Sequence, residues 1–84
     1  MKKGRFWMFA YESRTPRGGL GDLELTFDNI EEYENEVKSY NKKNIMNFED
    51  RYDIYELLDT KTDHIIWVPR YRLQEIKDWV IENK

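Results

Sequence analysis

Apolar residues recur with two different periods along this chain, and the switches between those periods mark its elements. Phe6-Trp7-Met8-Phe9-Ala10-Tyr11 reads as a strand with apolar side chains on both faces. Period two places Phe6, Met8 and Ala10 on one face and Trp7, Phe9 and Tyr11 on the other. Such a run suits a central strand covered on both sides, or one whose second face meets a ligand or partner; full coverage is the simpler expectation. Leu23 to Phe27 reads as a second strand. The period then changes to helical, with Ile30, Tyr33, Val37 and Tyr40 forming one stripe over about Asn29 to Lys42. Asp28 is the expected N-cap, with Glu31 three residues on in a capping-box spacing. Ile45, Met46 and Phe48 suggest that the next connection is pinned to the body.

Alternation returns at Arg51 to Leu58, where Glu56 interrupts an apolar face. A lone buried carboxylate is costly, so Glu56 should sit at an edge, pair with an arginine or mark a polar pocket. Asp59 to Asp63 reads as a turn, with Asp63 at a position that calls for positive φ, and His64 to Val68 as the returning strand. Pro69 ends that strand or begins the final helix, and Leu73, Ile76, Trp79 and Val80 make one side of that amphipathic helix over Arg70 to Asn83. The order β-β-α-β-β-α predicts a single small α+β domain spanning residues 1–84. It is expected to have a four-stranded, mostly antiparallel sheet with its helices on one face.

The loop from Ser13 to Asp22 concentrates backbone freedom. It holds Gly18, Gly19 and Gly21, three of the chain's four glycines, together with Arg14, Pro16 and Arg17. Such a loop is an ornate hairpin connection, or a cradle in which backbone N–H groups and two guanidinium groups receive an anion. The formal net charge is −3, unevenly spread. Basic Lys2, Lys3, Arg5, Arg14 and Arg17 precede an acidic stretch containing Asp22, Glu24, Asp28, Glu31, Glu32, Glu34 and Glu36. This balance argues against general binding to duplex nucleic acid.

Catalytic and metal chemistry find little support. The chain has no cysteine, which removes disulfides and thiolate metal sites and fits a reducing, cytoplasmic setting. His64 is the single histidine and stands beside a turn; Ser13 has no recognisable base. No catalytic residue, metal ligand or cofactor is expected. The longest apolar run is six residues, far short of a membrane span.

Several local patterns coincide with a known group. Phe9-x-Tyr11, Pro16-x-Gly18-Gly19-x-x-Asp22, Thr26-Phe27-Asp28 with Glu31-Glu32, Tyr52-x-Ile54 and Leu58-Asp59-x-x-Thr62 before Ile65-Ile66 all take part. Over Phe6 to Trp67 the chain resembles small bacteriophage and bacterial proteins with a P-x-G-G-x-x-D loop, an F-D helix start and a D-x-x-T hairpin. Asp63 stands where that group usually has glycine, and the Arg70 to Lys84 segment is not a regular part of its pattern. The resemblance implies a small fold and a phage accessory gene, acting in the host cytoplasm if phage-encoded, and supplies no catalytic residue.

Two functions follow as expectations. In the first, Arg14, Arg17, Gly18 and Gly19, beside Trp7, Phe9 and Tyr11, bind and sequester an anionic, nucleotide-derived ligand, as an anti-defence protein would. A homo-oligomer is expected there, because small-molecule sites often lie between subunits. In the second, the chain is a protein–protein inhibitor or adaptor acting on a host enzyme. Its surface would then be the aromatic sheet face or the acidic helix bearing Glu31, Glu32 and Glu34.

Overall fold

The computed structural model describes residues 4–12 and 19–83. Strands β1 (Phe6–Tyr11) and β2 (Leu23–Phe27) are followed by helices α1 (Ile30–Lys43) and α2 (Phe48–Arg51). Strands β3 (Ile54–Asp59) and β4 (His64–Pro69) form a hairpin, and α3 (Leu73–Glu82) closes the described chain. Short 3-10 turns at Gly19–Asp22 and Arg70–Arg72 lead into β2 and α3.

The strands form one antiparallel sheet in the order β2-β1-β3-β4. β1 is therefore central, as its double-sided apolar pattern predicts, but its two faces meet different fates. Phe6, Met8 and Ala10 are buried with Leu25, Phe27, Tyr55, Leu57 and Val68 beneath the helices. Trp7, Phe9 and Tyr11 lie on the other face and remain half-buried. The expected coverage of both faces is thus corrected: the helices pack on one side, and the described residues place no second layer on the other. A register shift between Met8 and Phe9 sets Leu25 opposite Met8 but Leu23 opposite Phe9, a bulge of the kind that bends an outer strand and re-aims side chains.

α1 begins one residue later than its sequence pattern suggests, because Asp28 is engaged elsewhere. The Asp28 carboxylate accepts from the Arg5 backbone N–H at 2.8 Å. Asn29 is the N-cap instead, its Oδ1 accepting from Glu32 N–H at 2.8 Å, while Glu32 Oε1 accepts from Asp28 N–H at 2.8 Å. The reciprocal logic of a capping box survives, shifted by one position.

Between α1 and β3, Phe48 is fully buried, with edge-to-face contacts to Tyr40, Tyr52 and Tyr55. Its backbone is held from both sides: Phe48 N–H donates to Asn41 Oδ1 at 2.8 Å, and the Tyr55 hydroxyl donates to Phe48 C=O. Ile45 and Met46, by contrast, are exposed, Ile45 completely so at 104%. The expectation that all three pin the connection is therefore corrected to Phe48 alone. The hydroxyl of buried Tyr33 donates to Glu49 at 2.5 Å, and Lys77 donates to the same carboxylate at 3.1 Å, tying α1, α2 and α3 together.

Asp59 is the largest departure from the sequence reading, which places it in a turn. It ends β3 on the covered face, fully buried. Arg5 grips it with Nε and Nη2, each at 2.8 Å; Trp79 Nε1 donates at 3.1 Å and Lys61 N–H at 3.1 Å. Foremost the Arg5 hydrogen bonds, helped by Trp79 and the Lys61 N–H, hold the carboxyl well below its usual range against the opposing effect of burial. His64 stacks on Trp79 at 4.1 Å, and Asp63 takes the expected positive φ of 59°.

Candidate functional site

Strand alternation and antiparallel register assemble the face of the sheet opposite the helices. Trp7 lies between Thr26 and Leu58, Phe9 between Leu23 and Glu56, and Tyr11 beside Ile54. On the outer strand, Trp67 is opposite Glu56 and Ile65 is opposite Leu58. The result is an apolar surface in which Ile65 is 60% and Trp67 56% exposed, while Trp7, Phe9, Tyr11 and Leu58 are half-buried. The Trp7 indole donates to Gly4 C=O at 3.1 Å. Gly4 there has φ 123°, and a Cβ on it would meet Phe27 N at 2.9 Å, so the turn into β1 requires glycine.

Glu56 stands within this apolar surface. Trp67 Nε1 donates to the Tyr11 hydroxyl at 2.9 Å, and that hydroxyl donates onward to Glu56 Oε1 at 3.4 Å. The residue is half-exposed. It lies on a central strand rather than at an edge, with Phe9 and Trp67 as its cross-strand neighbours.

Trp7, Phe9 and Tyr11, three of the expected ligand-binding residues, therefore share one accessible face. Gly19 opens the 3-10 turn Gly19–Asp22. Arg14, Arg17 and Gly18 lie outside the described residues, as does Ser13. Where the chain re-enters beside β1, a cleft of about 110 Å³ is lined by Tyr11, Glu12, Asp22, Glu24, Arg51 and Tyr52 among others. The Arg51 guanidinium shares that lining with the three carboxylates. The acidic residues Glu31, Glu32 and Glu34 of α1 are all exposed and have different neighbours. Glu32 is committed to the helix cap, whereas Glu31 borders a groove with Val80 and Ile81, and Glu34 borders another with Val37 and Lys77.

Among the described residues no group of three His, Asp or Glu side chains is placed to hold a metal ion, and no helix is long and apolar enough to cross a membrane. Sequence reasoning missed the Trp67–Tyr11–Glu56 relay. Its signal was present as period-two parity, but joining the three requires knowing that β3 lies between β1 and β4.

A sheet covered by helices on one side and lined with partly exposed rings on the other defines a small α+β domain that presents a sheet face. The family described as Bacteriophage T4 protein Y07C matches residues 6–69, and the chain belongs to that family. The matched span runs from β1 to the end of β4, and so includes the whole sheet. No curated protein and no solved structure matches the chain.

Proposed function

We propose that this phage-family chain is a non-catalytic adaptor or inhibitor that docks a host protein on its open sheet face. The observation that carries the reading is the exposure of Trp67 and Ile65 beside the half-buried rings of Trp7, Phe9 and Tyr11. Contiguous apolar patches of this kind mark interaction surfaces, and tryptophan and tyrosine are the side chains that most often dominate them. The charge at hand selects the class of partner. Glu56 within the face repels a phosphate backbone, which favours protein over single-stranded nucleic acid despite the stacking rings.

A photo-crosslinking side chain placed at Ile65, in cells that support the phage, tests this. We expect one discrete adduct, absent when the same group replaces Lys38 on the helix side of the molecule. Equal adducts from both positions, or none from Ile65, would count against the docking face.

Sequestration of an anionic, nucleotide-derived ligand is the second reading, favoured by the ring row that runs along β1 toward the glycine-rich loop. The Glu56 carboxylate, set between Phe9 and Trp67, speaks against it. Thermal shift with a panel of linear and cyclic nucleotides separates the two: stabilisation that disappears in Arg14→Ala plus Arg17→Ala supports the ligand.

A further inference from the structure

An apolar docking face gains nothing from a carboxylate in its midst unless the partner answers it. Covering Glu56 with a plain hydrocarbon surface would strip its water and leave a buried charge without a counter-ion. A cation from the partner answers the charge most fully, and the geometry around Glu56 narrows which one. Resting on the reading of this face as a protein-docking surface, we propose that Glu56, Phe9, Tyr11 and Trp67 form a recognition point for an arginine side chain of the partner.

Three observations support arginine. Phe9 and Trp67 are the direct cross-strand neighbours of Glu56, on β1 and β4, so their Cβ atoms stand about 5 Å from its own and their rings can flank a flat group laid against the carboxylate. Next, the relay presets the carboxylate. The Tyr11 hydroxyl receives the Trp67 N–H, which directs its own proton to Glu56 Oε1. That 3.4 Å contact is long, and the structure gives Glu56 no other hydrogen-bond donor among the described residues, so acceptor capacity remains for a fork of N–H groups.

The third observation is that the chain already builds this arrangement once, with its own arginine. Phe6 pairs with Asp59 across β1 and β3, three residues along from the Phe9 pairing with Glu56. There the Arg5 guanidinium lies 4.6 Å from the Phe6 ring centroid while its fork binds Asp59. The Phe9–Glu56 pair repeats the aromatic–carboxylate neighbours on the open face, with no arginine on it among the described residues. A guanidinium suits that place better than an ammonium. It is planar, weakly hydrated and able to stack on a ring while pairing in-plane with a carboxylate.

The test uses the isotopically labelled full chain, titrated with N-acetylarginine methylamide and followed by NMR at the Trp67 indole N–H and the Glu56 amide. Lysine and citrulline counterparts serve as controls. We expect saturable shifts with arginine at a Kd of about 1–10 mM, the weak end of the affinity scale for so small a probe. Lysine should bind more weakly and neutral citrulline not at all. Glu56→Gln should abolish the response, and Trp67→Leu, a change at an exposed ring, should weaken it at least several-fold. Absence of saturation with arginine, or an equal response in Glu56→Gln, overturns the assignment.

A second arm selects displayed peptides on the immobilised chain. Binders that depend on Trp67 and Ile65 but carry no arginine and ignore Glu56→Gln would overturn the arginine assignment while leaving the docking face standing. Binders that ignore Trp67 and Ile65 would remove the docking face itself.

Discussion

Two acidic side chains of β3, three residues apart, show how strongly setting decides a carboxylate's role. Asp59 faces the helices, where a guanidinium, an indole and a backbone N–H satisfy it. Glu56 faces outward, with one long hydrogen bond. Asp59→Ala leaves Arg5, whose side chain is 17% exposed, without its counter-ion. A stability loss of about 3–5 kcal/mol is expected in chemical denaturation. The sign of the pH dependence follows from the direction of the shift. The folded-state pKa is depressed, so the contribution is complete above the unfolded value, near 3.8. It declines as the pH falls below that value and is fully lost once the depressed folded value is passed. Wild type should therefore lose stability below about pH 4 more steeply than Asp59→Asn, measured as denaturation midpoints across that range.

At the scale of elements, the connection between α1 and β3 gives the sharpest contrast. Ile45, Met46 and Phe48 look alike in the sequence, yet Phe48 is enclosed by tyrosine rings and Ile45 projects into solvent. Phe48→Ala should cost about 3–5 kcal/mol through lost burial and the cavity left behind, whereas Ile45→Ser should stay within about 0.5 kcal/mol of wild type. Urea denaturation of both variants checks this. The same cluster predicts alkaline sensitivity. Burial pushes the Tyr55 hydroxyl up to about 12, and burial together with Glu49 raises that of Tyr33 further. A raised folded-state pKa means that stability is complete below the ordinary tyrosine value of 10.0 and falls as pH climbs through the folded values.

For the whole molecule, stability and recognition are assigned to opposite faces of one sheet. The helices bury Phe6, Met8, Tyr55, Leu57 and Val68, while the rings on the reverse side stay accessible. The two properties should therefore separate on mutation. Trp67→Ser combined with Ile65→Ser removes the most exposed apolar side chains of the face. The double variant is expected to keep a melting temperature close to wild type and to lose partner capture at least tenfold. A melting temperature that collapses would instead show that these side chains belong to the core.

Much of this arrangement was legible in the chain itself. Residue spacing indicated the four strands and two of the three helices in order, the division of β1 into two rows, the positive φ at Asp63 and the apolar stripes of α1 and α3, but not α2, which takes Arg51 from the strand expected to begin there. These depend on backbone periodicity and on neighbours a few positions away, which local sequence encodes directly. The coverage of one face, the burial of Asp59 by Arg5 and Trp79, and the setting of Glu56 between Phe9 and Trp67 arise from strand order and helix placement. Those join residues of different elements, Arg5 and Asp59 being 54 positions apart, and a side-chain period of two says which residues share a face without saying what, if anything, lies against it.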